Sequence, residues 1–127
     1  MSVHRILLVD DTPEVLALCA EILIPQHEIA GTAADGKSAI AAVEMTAPDV
    51  VVLDIAMPRL NGIEVAKRLR SSGYQGAIVF LSGDLELMNS AMEAGGSAFV
   101  TKTRLSADLL VAIREALAGR VFVSLRD

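Results

Sequence analysis

Asp10 and Asp11 follow the apolar run Ile6-Leu7-Leu8-Val9, and Asp54 follows Val50-Val51-Val52-Leu53. Ser82 follows a further run, 77–81, and Lys102 closes the last one just after Thr101. Three carboxylates brought to one place repel one another and raise each other's pKa. A hard divalent cation relieves that repulsion, and an all-oxygen donor set suits Mg2+, which keeps several waters. Lys102 adds a fixed positive charge and Ser82 a hydroxyl. A carboxylate surrounded in this way is suited to phosphoryl transfer: the cations neutralise charge on the transferring group while the carboxylate attacks in line. Each residue also has a plainer reading. Asp10-Asp11 before Thr12-Pro13 could complement a helix dipole, and Asp54 ahead of Met57-Pro58 could serve a turn. Ser82-Gly83-Asp84 could open a helix, and Lys102 could be solvated, as lysines usually are. Their joint placement at successive run ends is what capping does not explain. His4 and His27 fall at run starts, on the opposite rim, and stay outside the cluster.

The elements that must position these groups are five short apolar runs, 6–9, 28–33, 50–53, 77–81 and 98–100, alternating with segments of helical period. Four of the runs are nearly uninterrupted apolar, as parallel strands covered on both faces should be. The run 28–33 is more polar and suits an edge. Thr12-Pro13 places a capping hydroxyl before a proline at the first helical position, and Leu16, Cys19, Ala20 and Leu23 follow at core spacing. Asp35 is expected to cap a second helix that stops before Pro48. A third helix is expected over 62–71 with Ile63, Ala66 and Leu69 inward, a fourth over 85–94 ending at Gly95-Gly96, and Ser106 as the cap of a fifth carrying Leu110, Ile113 and Leu117. Five β-α units imply a doubly wound α/β sheet with right-handed crossovers. In such a sheet ligands bind beyond the carboxyl ends of the strands, which is where the chemistry-bearing residues fall.

The 127 residues suit one domain with a real core. No apolar run approaches the roughly 20 residues of a membrane-spanning helix. The start, Met1-Ser2-Val3-His4-Arg5, lacks the layout of a signal peptide, so a soluble cytoplasmic protein is expected. Cys19 is the one cysteine, excluding an internal disulfide, and its place on an apolar stripe reads as a packed thiol. A net charge of −5, no basic cluster and only four aromatics (Phe80, Phe99, Phe122, Tyr74) argue against direct nucleic-acid binding by this chain.

Taken together, Ile6-Leu7-Leu8-Val9-Asp10-Asp11, Val51-Val52-Leu53-Asp54-Ile55-Ala56-Met57-Pro58 with Asn61-Gly62, Leu81-Ser82-Gly83, and Ala94-Gly95-Gly96-Ser97-Ala98-Phe99-Val100-Thr101-Lys102 resemble a bacterial response-regulator receiver domain over nearly the whole chain. The resemblance implies a flavodoxin-like receiver fold over residues 1–127, with a five-stranded parallel sheet in the order 2-1-3-4-5. It implies that Asp54 is the phosphoacceptor, loaded from a phosphohistidine on a sensor histidine kinase. Asp11 would ligate Mg2+ directly and Asp10 partly through water, with Asp54 and the backbone carbonyl of Ala56 completing the protein ligands. Ser82 and Lys102 would hold the phosphoryl oxygens. Phe99 matches an aromatic switch position whose ring turns inward as the hydroxyl moves toward the phosphate; the plainer reading is a core aromatic. The added charge of about −1.5 to −2 would order the Ser82 loop and reshape the face of the fourth helix and fifth strand.

Two positions depart from the usual pattern. Thr103 stands where many members carry proline, which makes a cis bond after Lys102 more costly. Ala56 and Asp84 occupy positions that tune how water reaches the acyl phosphate; Ala56 offers no side chain for this, so slow-to-moderate autodephosphorylation is expected. The segment 112–124 resembles the last helix and linker of the nitrate-response type of regulator, with 119–127 the start of a linker toward a helix-turn-helix output domain. DNA contact, in that reading, belongs to the output domain, and the choice between monomer and homodimer stays open. Two other readings compete with this one. An aspartyl-phosphate phosphatase wants a second aspartate two residues after the nucleophile, where Ala56 stands. A stand-alone or phosphorylation-independent interaction module tends to lose an acidic-pocket residue or the lysine, and all are present here. The expectation is therefore a signalling acceptor, not a turnover enzyme.

Overall fold

The computed structural model describes residues 3–124; residues 1–2 and the outer end of the segment read as linker, 125–127, lie outside them. The chain runs β1 (Arg5–Val9), α1 (Pro13–Leu23), β2 (Glu28–Ala33), α2 (Gly36–Thr46), β3 (Val50–Asp54), α3 (Gly62–Ser71), β4 (Ala77–Ser82), α4 (Met88–Glu93), β5 (Ala98–Thr101), α5 (Leu105–Leu117) and β6 (Phe122–Val123). All strand pairings are parallel, in the order β2-β1-β3-β4-β5-β6. The first five places match the expected order, and β6 adds a sixth strand inside the segment read as linker. Its placement depends on a backward turn after α5, where Gly119 takes φ +79°, a left-handed conformation that glycine adopts without a Cβ penalty.

Alternate strand residues feed two separate cores, because successive side chains on a strand point to opposite faces. Leu7, Val9, Val51, Leu53, Phe80 and Phe99 pack toward α2, α3 and α4. Ile6, Leu8, Val50, Val52, Leu81 and Val100 pack toward α1 and α5, where Cys19 is buried. Burial pushes the Cys19 thiol up to about 12, with the nearby Asp10 charge adding to the effect; the thiol is inert packing, as expected. The second strand is half-exposed along much of its length, in keeping with its edge position.

Three helix starts differ from expectation. Thr12 occupies the N-cap of α1 and Pro13 its first turn, but the threonine hydroxyl makes no capping bond. Instead the Thr12 N–H donates to Asp10 Oδ1 at 2.9 Å. The fourth helix is split: a 3-10 turn, Leu85–Leu87, precedes α4, with the Asp84 carboxylate accepting from the Glu86 N–H. The fifth begins one residue before Ser106, at Leu105, which is only 3% exposed and belongs to the core. A 3-10 turn, Lys102–Arg104, leads directly into it, so burial of Leu105 sets the start and Ser106 faces solvent. Asp35, by contrast, caps α2 as expected by accepting from the Ser38 N–H at 2.8 Å. No peptide bond is cis among the described residues, the one after Lys102 included.

Candidate functional site

The carboxyl ends of β1 and β3 lie side by side, since Val9 pairs with Leu53. This places Asp10, just beyond β1, next to Asp54, the last residue of β3. Both are fully buried, while Asp11 is exposed at the mouth. One oxygen from each of Asp10, Asp11 and Asp54 lies within 4.8 Å of the other two. The Lys102 ammonium stands between two of the acids, 3.1 Å from Asp10 Oδ2 and 3.2 Å from Asp54 Oδ1.

The two oxygens of Asp54 are inequivalent. Oδ1 contacts Lys102 and accepts the Ala56 N–H at 3.3 Å, while Oδ2 is buried with no hydrogen-bond partner. Asp10 Oδ2 faces the Lys102 ammonium at 3.1 Å without a well-aligned hydrogen bond. Burial first, and the Asp10 charge second, raise the Asp54 pKa, and Lys102 offsets only part of this. Burial alone would lower Lys102, but its two carboxylate partners outweigh it and hold the ammonium charged. Two buried carboxylates thus share one ammonium, and the site is short of positive charge. Buried polar atoms without partners are rare in folded proteins. Orphaned carboxylate oxygens beside an exposed third acid form the donor set a hard divalent cation takes, so the residues present fit Mg2+.

Backbone packing holds this arrangement. Gly62 lies against the end of β3 so closely that a Cβ there would come within 2.2 Å of the Asp54 carbonyl oxygen. Its N–H donates to the Ile55 carbonyl at 3.0 Å. Asn61 starts α3 in a reciprocal capping box with Glu64, fixing the return of the loop that carries Ala56.

Ser82 is buried at the end of β4, beside Thr101 in register. Its hydroxyl is turned into its own loop, donating to the Asp84 carbonyl at 3.1 Å and accepting the Asp84 N–H at 2.9 Å. Asp84 and Ala56 are both exposed at the rim. Phe99 is wholly buried in the core beneath α4. His4 and His27 lie together on the opposite rim, ring centroids 6.0 Å apart, as the sequence placed them.

A buried polar group went unforeseen. Asp108 on α5 and Ser124 after β6 are both buried, and the Ser124 hydroxyl donates to Asp108 Oδ2 at 2.7 Å. An aspartate one turn into an amphipathic helix carries no sequence signal for this, because its partner comes from a strand two residues long.

Comparison with known proteins agrees with this architecture. The family model described as "Response regulator receiver domain" matches residues 6–114. The nitrate/nitrite response regulator protein NarL of Escherichia coli K12 is 32% identical over 123 residues, covering 94% of this chain and 57% of the relative. The DNA-binding transcriptional activator EvgA of the same organism is 33% identical over 116 residues, covering 89% and 57%. The crystal structure of a LuxR-family two-component response regulator from Aurantimonas sp. SI85-9A1 superposes with a TM-score of 0.89 at 34% identity, covering 95% of this chain and 89% of that one. The chain therefore spans 57% of the length of these curated relatives. No helix among the described residues is long and apolar enough to cross a membrane. The chain belongs to the response regulator receiver domain family, of the kind found in NarL-like regulators.

Proposed function

We propose that Asp54 accepts a phosphoryl group from the phosphohistidine of a sensor kinase. The carrying observation is the unpartnered, buried Oδ2 of a carboxylate whose other oxygen is held by Lys102 and the Ala56 N–H. One oxygen is held by these contacts, and the other, which has no partner, is left to bond to phosphorus. In the transfer, Asp54 Oδ2 forms a bond to phosphorus as the P–N bond to the kinase imidazole breaks, and the imidazole leaves. Asp10, Asp11, Asp54 and the Ala56 carbonyl would hold Mg2+, which when bound neutralises charge on the phosphoryl oxygens. Lys102 then follows the charge outward from Asp54 Oδ1 toward the phosphoryl group, and the Ser82 hydroxyl leaves Asp84 to donate to it. The freed Ser82–Asp84 loop repacks against α4 and Phe99, carrying the change to the face of α4 and β5.

The chain acts in this reading as an acceptor in the cytoplasm that turns over no external substrate. Hydrolysis of the acyl phosphate is slow to moderate, because Ala56 places no polar side chain over it. The receiver unit is 1–127, and it would act through an output domain that controls transcription, as the name of EvgA, a DNA-binding transcriptional activator, indicates for that protein; DNA contact would lie there. Intact-mass measurement after incubation with a small phosphodonor tests the proposal. One phosphoryl increment is expected with Mg2+, none without it, and none for Asp54→Asn in either case. Labelling that persists in Asp54→Asn would overturn the assignment.

A further inference from the structure

After α5 the chain turns back and lays β6 along β5, with Phe122 opposite Ala98 and Val123 opposite Phe99. Val123 packs into the core that holds Phe99. The next residue, Ser124, is only 3% exposed and makes three bonds. Its N–H donates to the Phe99 carbonyl at 2.9 Å, its hydroxyl donates to Asp108 Oδ2 at 2.7 Å, and its oxygen accepts the Thr101 N–H at 3.1 Å. Asp108 is held in turn by Arg104, from Nε at 2.9 Å and from the guanidinium's second nitrogen at 3.3 Å. A single hydroxyl thus ties the last residue of β5 to α5, and the residue after Thr101 is Lys102.

We propose that Ser124 and Asp108 are positioning residues for Lys102: the β6 clasp fixes the end of β5 so that the ammonium is presented to the phosphoryl group on Asp54. The inference rests on the phosphoacceptor reading and adds a regulatory element to it. Lys102 is half-exposed on a flexible stem and leaves the sheet at Thr101. The backbone N–H of Thr101 donates to the Ser124 hydroxyl. Without the clasp that peptide loses its bond, and binding a phosphoryl group must then also order the strand end. With the clasp the ordering is already done, so occupancy of the site and docking of β6 favour each other. The linkage is reciprocal: what strengthens one must strengthen the other by the same factor. Mg2+ differs, because its protein ligands sit at the ends of β1 and β3 and Lys102 competes with it for Asp10 and Asp54, so a loosened β5 end does not weaken its binding.

Beryllofluoride with Mg2+, a stable mimic of the phosphoryl group, serves as the probe, its affinity read by titration calorimetry beside that for Mg2+ alone. Ser124→Ala is expected to weaken beryllofluoride binding by about five- to tenfold while leaving Mg2+ affinity within about twofold, and Ser124→Thr is expected to restore the wild-type value. In wild type, saturation with beryllofluoride is expected to slow hydrogen exchange at the amides of Thr101 and Ser124. Val123→Ser, which unseats β6 without touching the hydroxyl, is expected to reproduce the loss. Equal beryllofluoride affinity in wild type and Ser124→Ala would overturn the inference, as would parallel loss of Mg2+ and beryllofluoride binding, the mark of general loosening. Failure of wild type to bind beryllofluoride at all would instead overturn the phosphoacceptor reading beneath it.

Discussion

Lys102 serves two carboxylates at once, and that divided contact sets what its removal does. With the ammonium gone, Asp10 and Asp54 face each other with no counter-charge, since unlike groups at 3–4 Å are worth several kcal/mol even at an effective dielectric of about 20. A divalent cation then has more repulsion to relieve. Lys102→Ala is therefore expected to bind Mg2+ about tenfold more tightly, yet to accept a phosphoryl group far more slowly; weaker Mg2+ binding in calorimetry would contradict this account. Gly62 makes a second case. A Cβ at 2.2 Å from the Asp54 carbonyl cannot be accommodated by a side-chain rotation, because the obstacle is backbone. Gly62→Ala is expected to destabilise the fold by about 2–4 kcal/mol in urea unfolding, within the range of backbone-strain effects, and to lower Mg2+ affinity by displacing the end of β3. Asp10, Asp11, Asp54 and Lys102 were legible in the sequence because each lies within two residues of the end of an apolar run, and parallel strands send their ends to one rim. The direction of the Ser82 hydroxyl was not legible. A two-residue turn to Asp84 decides it, and nothing in Ser82-Gly83-Asp84 distinguishes a hydroxyl bound to its own loop from one aimed at Asp54.

Helix starts separate what a motif suggests from what a side chain does. Thr12 and Asn61 both occupy N-caps in extended conformation, but only Asn61 makes the capping bond, accepting from the Glu64 N–H at 3.0 Å. Asn61→Ala is expected to destabilise the domain by about 1 kcal/mol, whereas Thr12→Ala should stay within about 0.5 kcal/mol of wild type. Equal losses in thermal or urea unfolding would contradict the assignment. Asp10 explains the difference: it accepts the Thr12 N–H, so the carboxylate that serves the site also shapes the loop into α1. The strands were readable because burial on both faces leaves an uninterrupted apolar run. The start of α5 was misread because Ser106 is a good cap by type, while the burial of Leu105 moved the helix forward. The sixth strand was missed for want of length. Phe122-Val123 holds no period to detect, and its pairing is decided by the buried bonds of Ser124, which is tertiary context.

At the scale of the whole domain, Asp54 and Asp108 pull stability in opposite directions as pH changes. Burial acts against the charged form of Asp108, but the hydrogen bonds from Arg104 and Ser124 outweigh it and lower its pKa in the folded state. A carboxylate whose folded pKa lies below its unfolded value, about 3.9, contributes its full stability above that value and loses it as pH falls toward the folded pKa. Asp54 has the reverse sign: its raised folded pKa, set by burial and Asp10, means the folded state holds the proton longer, so ionising it reduces stability as pH rises past 3.9. Metal-free Asp54→Asn is thus expected to be more stable than wild type at pH 7, and to lose that advantage below pH 4. Asp108→Asn should do the opposite, lowering stability at pH 7 by about 1–2 kcal/mol, a charge-assisted hydrogen bond discounted for the half-exposed Arg104, and converging on wild type as the acid limb is reached. Urea unfolding of the three proteins in chelator at pH 7, 5 and 3.5 checks both signs together. Adding Mg2+ should then reverse the order of wild type and Asp54→Asn at pH 7, because a ligand bound only by the folded state at about 100 times its dissociation constant adds about 2.7 kcal/mol. A wild type already more stable than Asp54→Asn without metal would mean that Lys102 alone satisfies the acids, leaving no electrostatic demand for the cation.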